Sequence, residues 1–381
     1  MKRNNKADTG RPVFSALLLA AALVSCEFSG AEETAAPEKA ISIMTWNLQA
    51  LFDGTDSGTE YDEYTTDADW SEEKYKGRIN VISKAIQEME NGIPDIIALE
   101  EIESGRVLED LGASLLKEGQ MWTHFAGNPG SALGLGLISR FPFEGVWVHS
   151  INANGDAAAR PVLEARVSAG GGPLALFVCH WKSKLGGDDA TEAARRASAR
   201  IILRRLRELA SEEPSLPVII MGDLNENYDE FYRRDGSVIS ALVPDDPLCA
   251  GITGFYDLDR EDPAAAALAA DLQKDFIILS KNKPPLASYF PEQALCVYSP
   301  WAKELENGSY YYQNAWETID HFLLSAQLFD GAGWEFENAL TLNQPPFGNQ
   351  NGHPAAYNPG TGTGLSDHLP LLLFLQYRKS L

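Results

Sequence analysis

The chain has 381 residues, 44% of them hydrophobic, and a formal net charge of −23. That is enough apolar material for one large domain or two small ones. The first 25 residues set Lys2, Arg3, Lys6 and Arg11 against Asp8, a net of +3, so the remainder carries −26; this balance repels polyanions unless a local basic patch intervenes, and it weighs against non-specific binding of duplex nucleic acid.

The apolar run VFSALLLAAALVS follows the basic start. It is too short to span a bilayer comfortably, so residues 1–25 read as a secretory signal. LVSC at 23–26 resembles a bacterial lipobox. That resemblance implies cleavage before Cys26, lipid on its sulfur, and a protein anchored to a membrane of the bacterial cell envelope, facing the periplasm or the surface. The bland alternative is a plain signal with an incidental cysteine. Residues 26–40, rich in Ala, Glu, Ser and Pro, read as a flexible tether. No later stretch is apolar enough to cross a membrane. Of the remaining cysteines, Cys249 and Cys296 share the segment after residue 225 and are the expected disulfide pair outside the cytoplasm. Cys179 sits in a strand pattern and reads as a small buried apolar group. The chain has no CxxC, so a zinc site of that kind has no support.

From Ile41, ISIMTWN reads as a strand that presents Asn47 at its end. The segment 72–90 reads as a helix, with Tyr75, Ile79, Ile82, Ile86 and Met89 on one face. Asp69 or Ser71 is its expected cap, and Asn91-Gly92 with Pro94 its stop. The strand DIIALEE follows and presents Glu101. In LALFVCH, alternation sets Leu174, Leu176, Val178 and His180 on one face, so His180 emerges at the end of a buried row. A second helix is predicted at 191–210, with Thr191 as cap and Ala199, Ile202, Leu206 and Leu209 facing inward. Its arginines, Arg195, Arg196, Arg200, Arg204, Arg205 and Arg207, are expected on a solvated face, with an anion-binding patch as the sharper alternative.

PVII then runs into GDLN at 222–225, which presents Asp223 and Asn225. The stretch 226–316 is long for a connection and partly acidic. Within it, GSYYYQNAW at 308–316 is either an aromatic hairpin over a pocket or a strand packing its tyrosines on the core. TIDHFLLS adds Asp320 and His321. A loop at 343–364 leads into LSDHLPLLL, which opens with Asp367 and His368. Interleaved strands and helices argue an α/β class.

The ordered set WN, LEE, CHWKS, GDLN, IDHFLLS and SDH resembles the endonuclease/exonuclease/phosphatase superfamily, the deoxyribonuclease I-like fold, from about Ile41 to Gln376. The resemblance implies an α/β, four-layer αββα sandwich of two packed mixed β-sheets flanked by helices, spanning 41–381 with a long insertion at about 226–316. It implies a Mg²⁺-dependent phosphoester hydrolase in which Mn²⁺ can substitute. A nuclease acting on nucleic acid is the leading reading, and a monomer is expected. A lipid or small-molecule phosphoesterase, sphingomyelinase-like or a phosphatase, is the alternative on the same fold. A catalytically inactive surface binding lipoprotein is the alternative of another class.

The same resemblance assigns roles residue by residue. Glu101 and Asp367 are the expected metal ligands, and Asn47 coordinates directly or bonds a ligand carboxylate; Mg²⁺ takes oxygen ligands and keeps several waters. Glu100 stands where the family often has an amide. Asp223 would orient or deprotonate the attacking water, and Asn225 would hold Asp223 and a phosphate oxygen, although an Asx-type turn also accounts for GDLN. His180 and His368 would act as acid/base or phosphate contacts, the division between them being open. Asp320 would orient His368. Arg160, before a proline, would touch phosphate or merely cap a loop. Asp275 in KDFIILS mimics Asp320, but spacing to SDH favours Asp320. Alternation turns His321 away from the site, and His124, His149 and His353 have no motif context.

Overall fold

A computed structural model describes residues 39–116, 119–151, 160–235, 240–245, 276–282, 284 and 296–379. The signal, residues 26–38 of the tether, Cys26, Cys249 and Asp275 lie outside these residues; Ala40, read as the end of the tether, opens β1 instead. One sheet contains β1 (Ala40–Leu51), β2 (Ile96–Ile102), β3 (Trp122–Ala126), β4 (Gly134–Ser139), β15 (Gly333–Thr341) and β16 (Leu371–Arg378), in the order β15-β16-β1-β2-β4-β3. The other contains β5 (Phe143–His149), β6 (Val162–Ser168), β7 (Pro173–His180), β8 (Val218–Asp223), β9 (Leu242–Pro244), β10 (Ile277–Ser280), β11 (Cys296–Tyr298) and β14 (Asp320–Leu324). Its order is β5-β6-β7-β8-β14-β11-β10-β9. A two-stranded hairpin of β12 (Tyr310–Tyr312) and β13 (Ala315–Glu317) stands apart. Both large sheets are mixed: β1–β2 and β7–β8 run parallel, while β1–β16 and β8–β14 run antiparallel.

Alternation along the strands explains the layers. Ile43, Ile96 and Ala98 of the first sheet meet Leu174, Leu176, Val178, Ile219 and Met221 of the second in one core. The other face of the first sheet, with Met44, Ile97 and Leu99, is covered by Ile79, Ile82 and Ile86 of α1 (Glu72–Gln87) and by Leu108 and Leu111 of α2 (Gly105–Leu115). The outer face of the second sheet, with Ala175, Phe177, Cys179 and Ile220, is covered by Ala199, Ile202, Leu203 and Leu206 of α3 (Asp188–Glu212). These are the four αββα layers. Each fully buried side chain of this size contributes about 1.5–3 kcal/mol. No helix among the described residues is long and apolar enough to cross a membrane.

Ser71 caps α1, its side chain accepting from the Lys74 N–H. Thr191 does not cap α3, which begins at Asp188; its hydroxyl instead donates back to the Gly187 and Asp188 carbonyls inside the first turn. Nor is Arg195 solvated. It is fully buried, pairs with Glu226 and Glu192, and accepts no solvent role. Its spacing to Ala199, Ile202 and Leu206 places it on the inward stripe. Arg205 is likewise tied to the buried Glu164 at 2.8 Å. In the described part of 226–316, α4 (Glu230–Arg233) is followed by β9, β10 and β11, which extend the second sheet at its edge.

Candidate active site

The site forms where strands of both sheets end together. Antiparallel register sets Asp320, the first residue of β14, opposite Asp223, the last of β8. Parallel register sets His180, the last of β7, opposite the same Asp223. From the first sheet, Asn47 lies at an irregularity in β1 and Glu101 at one in β2. Glu101 holds a left-handed backbone, φ 61°, as do Gln49, Ala50 and Asn225. Non-glycine residues adopt this region rarely, and such strain concentrates at functional positions. The turn before β16 is pinned by the Ser366 hydroxyl, which donates to the Asn47 carbonyl at 2.6 Å, and by the Trp46 indole, which donates to the His368 carbonyl at 3.0 Å.

His368 Nδ1 bonds Asp320 Oδ2 at 2.8 Å. Asp223 Oδ2 accepts from the Asn47 amide at 3.1 Å and lies 3.5 Å from His180 Nε2. Asp223 Oδ1 accepts the Asn225 N–H at 2.9 Å, so the Asx-type turn is present alongside the other contacts. His180 Nε2 is also 3.7 Å from Glu101 Oε1, while Glu101 Oε2 accepts the Ala50 N–H at 2.7 Å. Asp367 lies 4.0 Å from His368 Nε2. Both Arg160 and the Asn225 amide donate to the Trp181 carbonyl, at 2.8 and 3.2 Å. All nine residues expected from sequence therefore fall in one connected cluster. His321 points elsewhere and bonds the Glu226 carbonyl at 2.8 Å. β10, the strand that follows Asp275, is separated from β8 by β11 and β14, which leaves Asp320 as the neighbour of Asp223.

The electrostatics divide the two histidines. Burial works against a charge on His368, but the carboxylates of Asp320, Asp367 and Asp223 outweigh it and hold its pKa well above the ordinary range. Burial, then the positive charges of Arg160 and His368, push His180 well below it. His368 is thus an imidazolium and His180 a neutral imidazole near pH 7. Burial, then Asp320, raises Asp223 to about 7.

Three further residues gain their role at the site only in the fold. Glu100 is fully buried, with the Thr45 hydroxyl donating to its Oε1 at 3.1 Å. Burial, then Asp320 and Asp223, raise its carboxyl well above the usual range, so it sits there as the neutral acid, the shape and polarity of an amide. Alternation could have found it, since Ile96, Ala98 and Glu100 share the inward row. Gly222 has φ 122°, and a Cβ there would stand 2.0 Å from the Cys179 carbonyl oxygen and 2.9 Å from Glu100 Oε1. Tyr310 packs its ring 4.7 Å from the His368 ring; burial, then Asp367, raise its phenol to about 12.

A linkage prediction follows for Glu100. A carboxyl with a raised folded pKa contributes its stability below the ordinary value of 4.5 and loses it as pH rises. Glu100→Gln removes that titration. The variant is expected to gain thermal stability over the native protein as pH rises from about 4 to about 9, in chelator. A stability difference that stays constant across this range would show that Glu100 is ionised and compensated in the fold.

The donor set suits a hard divalent cation, being carboxylate-rich. Among the described residues, the ligand atoms of Asp223, Asp320 and His368 lie within 4.8 Å of one another. However, Asp320 Oδ2 and His368 Nδ1 already bond each other, which consumes donors a metal would need. Glu101 and Asp367 are the more accessible acids, their side chains 22% and 38% exposed. A cation that keeps several waters fits such an open margin better than the closed group.

Residues 42–241 match the endonuclease/exonuclease/phosphatase family. Among solved structures, the chain is similar to an endonuclease/exonuclease/phosphatase from Bacteroides vulgatus, at 15% identity and TM-score 0.49, over 89% of this chain and 100% of that one. It is similar to a family protein from Bacteroides thetaiotaomicron, at 16% identity and TM-score 0.48, over 90% and 96%. It is also similar to TDP2 from Caenorhabditis elegans, at 16% identity and TM-score 0.46, over 89% and 74%. No curated protein matches the sequence.

Proposed function

The chain belongs to the endonuclease/exonuclease/phosphatase family, and from that premise we propose that it is an exported nuclease that cleaves phosphodiester bonds with Mg²⁺. Its broader class, a metal-dependent phosphoester hydrolase, follows from the family. The carrying observation is the pair of histidines in different protonation states around Asp223. His180 is neutral and 3.5 Å from it, while His368 is protonated and grouped with it and Asp320. In this reading Asp223 orients and deprotonates water, and the Asn47 amide bond to its Oδ2 supports that role. His368, held by Asp320, donates from Nε2 to a phosphate oxygen or to the leaving oxygen. Asn225 and Arg160, both tethered to the Trp181 carbonyl, would contact the remaining phosphate oxygens. Glu101, Asp367 and Asn47 would hold the cation, which when bound neutralises phosphate charge and stabilises the leaving oxygen.

The nuclease reading is tested by hydrolysis of single-stranded and duplex DNA, RNA, sphingomyelin, phosphoinositides and nucleotides in Mg²⁺ or Mn²⁺. Short single-stranded substrates are expected to be cut best. Positive charge is local to Arg160 and His368, and a chain carrying −26 gains little from following many phosphates. Preference for sphingomyelin would move the reading to a lipid phosphoesterase. Chelator is expected to abolish turnover, and Glu101→Gln to raise the Mg²⁺ needed for half-maximal rate at least about tenfold. Full activity in chelator would remove the metal from the reading.

Export and anchoring rest on LVSC at 23–26. Cys26→Ser is expected to shift the protein from the membrane to the soluble fraction with unchanged kcat/KM. Retention of the variant on membranes would show an uncleaved signal or another lipid-binding surface.

A further inference from the structure

The hairpin beside His368 carries a feature that bond cleavage itself does not use. Tyr310 and Tyr312 share one face of β12, because side chains alternate along a strand. Their rings are 6.1 Å apart and inclined by only 18°. The Tyr310 ring in turn lies 4.7 Å from that of His368, inclined by 33°. His368, Tyr310 and Tyr312 thus form a column of rings. Its inner end is the candidate site, and its outer end, Tyr312, is 51% exposed.

The column is held from both sides. On the opposite face of β12, Tyr311 stacks on His353 at 3.8 Å and 18°, and Trp316 closes edge-on against both. The tip turns through Gln313 and Asn314 with φ 46° and 64°, the left-handed pair of a tight two-residue hairpin. At the root, Leu369 N–H donates to the Ser309 carbonyl at 2.7 Å, and Asp320 N–H to the Ser309 hydroxyl at 3.2 Å. The backbone that sets the tyrosines is therefore bonded to the residues that flank and orient His368.

Resting on the phosphodiesterase reading above, we propose that Tyr310 and Tyr312 form a base-stacking subsite that holds the nucleobase next to the scissile phosphate and selects unpaired nucleic acid. The stacked Tyr310–Tyr312 pair extends by adding another flat ring. A nucleobase offers such a face whatever its sequence, but only when it is not already stacked within a duplex. A quaternary ammonium headgroup is bound differently, enclosed by rings set around it as a cage. The hairpin presents one open ring face and no cage.

The test compares wild type, Tyr312→Leu and Tyr312→Phe on a dinucleotide and on the same dinucleotide with abasic sugars. Wild type is expected to prefer the base-bearing substrate in kcat/KM. Tyr312→Leu should shrink that preference on the order of tenfold, while Tyr312→Phe, which keeps the ring, should preserve it. A second readout needs no turnover: calorimetric binding of a 5′-mononucleotide relative to ribose 5-phosphate, expected to change in the same way. Unchanged preferences in Tyr312→Leu by both measures overturn the subsite. So does a loss confined to a phosphocholine ester, which would mark a cation site. Nucleotide binding that depends on Tyr312, with none of the substrates cleaved, keeps the subsite and removes the hydrolase reading instead.

Discussion

His368→Ala is expected to lower kcat by roughly 10²–10⁴-fold, the usual cost of a lost positioned acid. The side chain is buried, bonded to Asp320 at 2.8 Å and kept protonated by three carboxylates, so alanine removes the only imidazolium that the described residues place at the site. Asp320→Asn should cause a loss of similar order. An amide cannot stabilise the imidazolium as a carboxylate does, and its NH₂ competes as a donor toward Nδ1. Asp223→Asn should be equally severe, since an amide takes no proton from water. Asp275→Asn should be mild by comparison. Single-turnover rates beside thermal melts separate chemistry from folding. If Asp275→Asn proves more damaging than Asp320→Asn, the carboxylate assigned to His368 is wrong. Nearly unchanged turnover in His368→Ala would shift the acid's role to His180.

Arg195→Met is expected to be the most destabilising single change away from the site, by about 3–5 kcal/mol, because it strands a buried charge. Arg195 is fully buried. It donates to Glu226, to Glu192 at 2.9 Å, to the Thr191 hydroxyl at 2.7 Å, and to the Lys182 and Asp188 carbonyls at 3.2 and 3.1 Å. Without it Glu226 keeps a buried carboxyl whose Oε2 already has no hydrogen-bond partner. In a domain of this size the loss corresponds to a fall in Tm on the order of 10 °C. Glu226→Gln added to Arg195→Met should recover part of it, because the uncompensated charge is gone. Denaturant melts of the two single variants and the double decide this. A loss below about 1 kcal/mol in Arg195→Met would mean that water already reaches the pair.

Much of this molecule is legible in its sequence because its strands end in chemistry. Apolar alternation brings His180 to the end of a buried row, and the structure puts it there. Periodicity locates α1, and Ser71 caps it as read. The differences arise where a local pattern meets a global constraint. Residue type groups Arg195 with solvated arginines, but its spacing to Ala199 and Ile202 puts it on the buried stripe. Thr191 opens the apolar pattern, yet the helix starts one turn earlier on Asp188 and Asp189. Other features have no local signal. The contact of Tyr310 with His368 and the fit of Gly222 against Glu100 arise only when distant strands pack. The segment after GDLN lacked strong periodicity because its strands are three to four residues long.

The joining of β1 to β16 has a consequence for biosynthesis. Asn47 lies on β1 and His368 in the turn before β16, which pairs along β1 from Ala40 to Thr45. Chains are made from the N-terminus at roughly 5–20 residues per second. β2, β3 and β4 can therefore be paired on one side of β1 while His368 is still unsynthesised, and both the other edge of β1 and the edge strand β15 wait for β16. Assembly of the centre therefore coincides with closure of the first sheet by β16.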